Sequence, residues 1–137
     1  MRGTTRNMSD AHEVALVEAL GGRRTRGSGN QANNPMDGRH NRYTDDLAFA
    51  WDGKSTLGKS ISITLEMIEK ARDQALAERP MIALRWYATE RLAVAEDWVA
   101  ITLDDFQELL HEARQAAAMR AFLKASKSEI DFEEWRS

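Results

Sequence analysis

Residues 47–54 read Leu47-Ala48-Phe49-Ala50-Trp51-Asp52-Gly53-Lys54, and most of the predicted fold follows from this segment. The large apolar side chains fall at alternate positions up to Trp51, which is typical of a strand with one face in a core. Asp52 and Lys54 are two residues apart, so a strand would place both side chains on one face. The segment therefore predicts a strand that starts in the core and ends in two charged groups.

Residues 21–46, just upstream, are rich in Gly, Asn, Arg and Asp and poor in aliphatic residues. This composition predicts a loop with short strands inside it, and so long a polar segment in a small domain is more often functional than idle. If residues 38–42 form a strand that returns through a turn at 43–46, pairing about its midpoint sets Asp37 opposite Asp52. Two carboxylates and a lysine would then meet at one end of a hairpin.

The rest of the chain alternates between helix and strand patterns. We predict a flexible arm over 1–8, then a helix from Asp10 to Leu20 that Ser9 caps and Gly21-Gly22 ends. Further predicted elements are helices over 65–78 and 103–124, strands over 81–87 and 98–101, and a possible tail over 126–137. This order predicts a single α/β domain over 1–137, in which helices flank a mixed β-sheet.

Composition excludes several classes of protein. The 137 residues include no Cys, which excludes disulfides, thiol catalysis and Cys-ligated zinc, and the three His are too far apart for a paired-His metal motif. No apolar run approaches the roughly 20 residues of a membrane span, and the N-terminus lacks the apolar stretch of a secretory signal. We therefore expect a cytoplasmic protein without a membrane segment, in which any metal is held mainly by carboxylates.

Charge is distributed unevenly along the chain. Residues 1–42 carry a net charge of +3, whereas the whole protein carries −3. Within residues 21–43, Asp37 is the one acid among five arginines, namely Arg23, Arg24, Arg26, Arg39 and Arg42. A local basic patch on an acidic protein favours an anionic partner bound at one place, and a solvated arginine loop is the alternative.

The predicted pair of carboxylates suits Mg²⁺, a hard cation that takes oxygen ligands and keeps several waters. Such a cation lowers the pKa of a water molecule and polarises a phosphodiester, and Lys54 could stabilise the attacking group or the phosphate. Glu13 lies on the apolar stripe of the first predicted helix, where a carboxylate is costly unless it is paired. The alternative for Glu13 is a first-turn acid that the helix dipole favours.

In order and spacing, Pro35-x-Asp37 followed by Asp52-x-Lys54 resembles the PD-(D/E)XK nuclease superfamily. Arg26-Gly27-Ser28-Gly29 is similar to the approach to the first acid in its Holliday-junction-resolvase-like members, which also carry an acid on the first helix. Glu13 matches that acid. The chain departs from the pattern in having Asp instead of the commoner Glu at position 52, and in the one residue between Pro35 and Asp37.

A further likeness lies on the second predicted helix, where Gln74 resembles the helical Gln of RecB-like nucleases. The resemblance covers about Glu13 to Tyr87. It implies a restriction-endonuclease-like core and a phage-encoded endonuclease, dependent on Mg²⁺ with Mn²⁺ able to substitute. The implied substrate is branched DNA, cut as Holliday junction resolvases do in DNA recombination.

The resemblance also implies roles for individual residues. The metal would be held by Asp37, Asp52, Glu13 and the Gly53 carbonyl. Catalysis would use those acids together with Lys54 and Gln74. DNA phosphates would be bound by Arg23, Arg24, Arg26, Ser28 and Arg39. The implied partners are DNA and a second copy of the chain in a homodimer, whose surface could come from the Trp86-Tyr87 strand or the Trp135 tail.

Several alternatives stay open. Asp45 or Asp46 competes with Asp37, although an extended chain would put Asp46 roughly 20 Å from Asp52, too far to share a metal. Asp52 and Lys54 could be an exposed pair on an edge strand, and Gln74 an ordinary surface amide. The chain could also be a nuclease of the same fold that acts on flaps, ends or a specific sequence, or a non-catalytic DNA-binding phage module.

Overall fold

The computed structural model of the chain describes residues 2–25, 36–89 and 91–136. Two compact units divide the chain, Met1–Thr102 and Leu103–Ser137. The first unit contains a five-stranded mixed sheet with two helices, and the second contains one long helix. The predicted class, α/β with a mixed sheet and flanking helices, is confirmed.

The elements follow one another in alternation along the chain. They are α1 (Arg2–Leu20), β1 (Arg23–Arg24), β2 (Gly38–Arg39), β3 (Phe49–Thr56), α2 (Leu65–Ala75), β4 (Arg79–Tyr87), β5 (Val94–Ile101) and α3 (Leu103–Arg136). Strand order in the sheet is the order along the chain, β1-β2-β3-β4-β5. β3 and β4 are parallel and are joined through α2, whereas the other neighbouring strands are antiparallel. In the described part of the chain, no helix has the length and apolar character to span a membrane.

Opposite faces of the sheet pack against different helices. On one face, Ala50 of β3 belongs to a core cluster with Ala71 and Ala75 of α2. On the other face, α1 is fastened by Tyr87, whose hydroxyl donates a hydrogen bond of 2.8 Å to the Met8 carbonyl. Since side chains alternate along a strand, Asp52 continues the face of Ala50.

The first helix begins earlier than the sequence predicts. α1 starts at Arg2, not Asp10, so residues predicted as an arm are helical and Ser9 lies inside the helix. Met8 is buried in the contact with Tyr87, and this tertiary packing holds the segment in the helix. The prediction of an arm was therefore wrong for the backbone of residues 2–8.

Other boundaries also differ, and β3 and β4 run over Phe49–Thr56 and Arg79–Tyr87 rather than 47–54 and 81–87. α2 ends at Ala75 instead of residue 78, because Leu76 has a positive φ of 59° that breaks the helical path. α3 continues to Arg136, well past the predicted end at Lys124, because residues 103–136 contain no Gly or Pro that would stop a helix. The stretch predicted as a tail is thus helical as far as Arg136. β5 starts at Val94 rather than Trp98.

Candidate active site

The β2–β3 hairpin brings Asp37 and Asp52 together. Gly38 pairs with Trp51 and Arg39 with Ala50, and at the start of β2 the Asp37 N–H donates a hydrogen bond of 2.9 Å to the Trp51 carbonyl. Asp37 Oδ2 accepts a hydrogen bond of 2.6 Å from the Gly53 N–H. The Asp37 carboxylate is therefore fixed against β3 by the backbone, at the point where β2 begins.

The two competing acids lie at the other end of this hairpin, in its turn. Asp45 Oδ1 accepts a hydrogen bond of 2.9 Å from the Leu47 N–H, which closes the turn. The carbonyl of Asp46 lies 3.5 Å from an Arg79 Nη atom. Of the three acids considered for the first metal-binding position, Asp37 is the one that the structure brings to Asp52.

Asp52 interacts with both of its predicted neighbours. Its side chain is hydrogen-bonded to that of Asp37, and Lys54 Nζ lies 3.1 Å from its Oδ2. Burial raises the pKa of the Asp52 carboxyl and the charge of Asp37 raises it further, while Lys54 lowers it in part. Because burial and the neighbouring Asp37 carboxylate disfavour negative charge on Asp52, a bound cation would be favourable at this place.

The charge of Asp37 acts on Glu13, but Glu13 forms an ion pair with Arg24. Glu13 Oε2 accepts a hydrogen bond of 2.7 Å from Arg24 Nε, and Arg24 also pairs with Asp10 at 2.9 Å. Burial and the Asp37 charge raise the pKa of Glu13, and Arg24 opposes them. The ion pair explains how a carboxylate is tolerated on the inner side of α1.

His12 is part of the site and was not predicted from the sequence. A Cβ on Gly53 would lie 3.2 Å from His12 Nδ1 and 3.4 Å from Asp37 Oδ2, so Gly53 leaves the space into which both side chains fit. Burial, and then the charge of Arg85, lower the pKa of His12 to about 4, so the ring is neutral at pH 7. Met8, His12 and Leu16 are buried and have i, i+4, i+8 spacing. This helical spacing is the sequence pattern that could have placed His12 on the buried face of α1.

The arginines predicted to bind phosphate differ in exposure and in their ion-pair partners. Arg23 is exposed on β1, whereas Arg24 is paired with acids of α1. Arg39 is half-buried, pairs with Glu78 at 3.2 Å and donates a hydrogen bond to the Gln74 carbonyl. Arg26 and Ser28 lie outside the described residues. The contact shown for Gln74 is this one with Arg39.

The acid pair suits a divalent cation in its donor chemistry. Among the described residues, no group of three or more His, Cys, Asp or Glu side chains is placed to hold a metal ion. Mg²⁺, however, is commonly held by one or two carboxylates, with waters and substrate phosphates as the other ligands. Asp37 and Asp52 provide two such carboxylates, and a cation there would offset the unfavourable negative charge of Asp52.

No protein-family model, curated protein or solved structure matches the chain.

Proposed function

We propose that the protein is a metal-dependent endodeoxyribonuclease. The observation that carries the proposal is the contact between Asp37 and Asp52 at the end of the β2–β3 hairpin, with the Lys54 ammonium 3.1 Å from Asp52. Two acidic side chains in contact with each other are unfavourable for the fold at neutral pH, and such perturbed groups cluster at functional sites. The order of these residues along the chain is also that of PD-(D/E)XK nucleases.

In this proposal, Asp37 and Asp52 hold Mg²⁺ together with the Gly53 carbonyl, and Mn²⁺ can replace it. The bound cation supplies the polarisation of the phosphodiester and a water of lowered pKa. The Gly53 N–H keeps the Asp37 carboxylate in a fixed orientation. Lys54 stabilises the negative charge that develops on the phosphate. Glu13 is the candidate third carboxylate, and it would have to exchange its contact with Arg24 for one with the metal.

The substrate that we propose is branched DNA, cut as by a Holliday junction resolvase in the cytoplasm of a bacterial host. This finer statement is supported by the resemblance of residues 13–87 and by the exposed Arg23 close to the hairpin. Two symmetric cuts in a four-way junction require two active sites related by a two-fold axis, so the proposal includes a homodimer. A restriction-endonuclease-like core is compatible with the sheet, in which α2 connects the parallel strands β3 and β4.

A cleavage assay tests the proposal. Labelled four-way junction, flap and linear duplex are incubated with Mg²⁺, Mn²⁺ or EDTA, and the wild type is compared with Asp37→Asn, Asp52→Asn and Lys54→Ala. Asp46→Asn is the matched control, because it removes the same charge at the far end of the same hairpin. We expect metal-dependent cleavage that is lost in the first three variants and retained in the control.

The cut substrate then decides the finer statement. Paired symmetric cuts in the junction support a resolvase, and a preference for flaps or ends supports a nuclease of another substrate class. If DNA binds but no substrate is cut with either metal, the nuclease proposal is wrong and a non-catalytic DNA-binding module takes its place.

A further inference from the structure

A second candidate site lies at the turn end of the β2–β3 hairpin, away from the acid pair. There a cavity of about 560 Å³ opens between β1, β2, the turn and the segment after α2. This volume lies within the range of about 300–1,000 Å³ that is usual for small-molecule sites. Its lining includes Arg23, Arg39, Arg42 and Tyr43, with Glu78 as the acid that pairs with Arg39. The excess of arginine favours an anionic ligand.

Tyr43 gives this cavity an aromatic surface. It is the most exposed large apolar or aromatic side chain among those described, with 81% of its surface accessible. The Arg42 guanidinium carbon lies 4.9 Å from the ring centroid, and Arg42 Nη2 donates a hydrogen bond of 2.8 Å to the Tyr43 hydroxyl. A ring so exposed adds little to the core, and the large accessible area leaves room for a planar group to stack on it.

The turn that carries Tyr43 is held by its own hydrogen bonds. The Tyr43 N–H donates to Asn41 Oδ1 at 2.9 Å, and the Thr44 N–H donates to the Asn41 carbonyl at 3.2 Å. An asparagine side chain that binds the backbone two residues on is a typical device for fixing a turn. The backbone that carries the ring and Arg42 is therefore fixed before any ligand arrives, which lowers the entropic cost of binding.

We infer that this cavity binds one unpaired nucleotide of a nucleic-acid strand, with the base stacked on Tyr43 and the phosphate bound by Arg23 and Arg42. Base–aromatic stacking tolerates any base, and arginine binds phosphate through two parallel hydrogen bonds. Nucleic acid is chosen as the ligand because of the proposed function, but binding here needs neither the acid pair nor a metal. Arg39 on the cavity wall pairs with Ala50, two residues before Asp52, so roughly 7 Å of strand separates the two sites at about 3.3 Å per residue.

Binding of a labelled oligothymidylate, measured by fluorescence anisotropy in EDTA, tests this inference. All proteins carry Asp52→Asn, so no cleavage interferes. We expect Tyr43→Ala to weaken binding about tenfold, as usual for one lost stacking contact, and Tyr43→Phe to retain most of the affinity. Trp98→Ala is the matched control, because Trp98 is 63% exposed on β5, the opposite edge strand.

The phosphate contacts are tested by the salt dependence of the same binding. Each of Arg23→Ala and Arg42→Ala should lower the slope of log affinity against log salt by about 0.7, the value for one phosphate of a single strand. Arg91→Ala, at an exposed arginine between β4 and β5, should leave the slope unchanged. Circular dichroism verifies that each variant is folded.

Two results would overturn the inference: Tyr43→Ala that binds as tightly as Trp98→Ala, or a parent protein that does not bind the single strand. A different result would count against the proposed function. In that case the wild type binds through Tyr43 and cleaves no substrate with Mg²⁺ or Mn²⁺. If Tyr43→Ala binds the single strand with unchanged affinity and the protein still cleaves DNA, the inferred nucleotide site is wrong and the proposed nuclease function stands.

Discussion

Asp52 lies in surroundings that disfavour its own charge. Burial and the neighbouring Asp37 raise its pKa, and the salt bridge with Lys54 offsets only part of this effect. The folded state therefore binds a proton at Asp52 more tightly than the unfolded chain does. The protein loses stability as the pH rises from the Asp52 pKa of the unfolded chain to the higher pKa of the folded protein. A local loss of stability in return for function is common at active sites.

The first prediction is that Asp52→Asn stabilises the fold and abolishes cleavage. At neutral pH the amide removes the like-charge contact with Asp37, so the free energy of unfolding should increase by up to about 1 kcal/mol, a small value because solvent screens this half-buried site. The gain should shrink as the pH falls and the wild-type carboxyl takes up its proton. Urea unfolding at pH 7 and at lower pH measures it, and a less stable or unfolded Asp52→Asn at pH 7 would make the residue structural.

The second prediction concerns His12 and acid. Its pKa of about 4 lies below the ordinary 6.5, so between these values the unfolded chain takes up a proton that the folded protein does not. Stability from this group is complete above pH 6.5 and is lost as the pH falls to about 4, by about 3 kcal/mol in all at 1.36 kcal/mol per pKa unit.

His12→Gln should therefore lose less stability between pH 7 and pH 4 than the wild type. The measurement is the free energy of unfolding in urea at both pH values. His111→Gln, at an exposed position of α3, is the control and should keep the wild-type pH dependence. Parallel curves for His12→Gln and the wild type would assign the acid sensitivity to other groups, such as the Arg85–Asp97 pair.

At the scale of elements, the short strand β2 depends on Gly38. A Cβ there would lie 2.5 Å from three atoms of the Trp51 indole, which is completely buried. The third prediction is that Gly38→Ala costs about 1–3 kcal/mol of stability, the usual cost of overpacking, and lowers cleavage because Asp37 is the adjacent residue. Gly58→Ala is the comparison, because a Cβ at this exposed glycine would lie 3.2 Å from the Thr56 hydroxyl instead of 2.5 Å from a buried ring, and it should cost clearly less in the same urea titration. Equal costs for both variants would refute the packing argument.

The hairpin was predictable because its information is local. Alternation up to Trp51 and a polar turn predict a hairpin that brings Asp37 towards Asp52 across 15 residues of chain, and the structure has this hairpin, with Gly38 paired to Trp51. The start of α1 was not predictable in this way. Its first residues are polar, and what keeps Met8 in the helix is a contact with Tyr87, far along the chain, that no local pattern reveals.

The same distinction applies within the candidate site. Asp52 and Lys54 lie two residues apart on one strand, so their contact follows from the pleat. His12 reaches Gly53 only through packing of α1 on the sheet, and its role was missed. The partners of Arg24 and Arg39 come from α1 and from the segment after α2, so a count of charges in the loop could not show that both are already paired.

At the scale of the whole molecule, the described residues of the candidate site all belong to the unit Met1–Thr102. The fourth prediction is that a chain ending after Thr102 unfolds cooperatively and keeps a Tm within a few degrees of the full-length protein. Thermal melts followed by circular dichroism test this, with the far-UV signal expected to fall by the share of helix in α3. A broad, non-cooperative melt would show that the sheet needs α3.

The pairing of the two central strands has a consequence for how fast the protein folds. β3 contacts β4 through residues about 30 positions apart, such as Phe49 and Arg79, whereas the β2–β3 hairpin joins residues about 13 apart, such as Gly38 and Trp51. Contacts between distant residues form more slowly, because a longer loop must close first. The hairpin should thus bring its two repelling carboxylates together before β4 pairs with β3. We therefore expect Mg²⁺ to speed refolding in stopped-flow experiments. The cation would then assist folding in addition to its proposed part in cleavage. Equal refolding rates with and without Mg²⁺ would show that the two carboxylates meet only after the rate-limiting step.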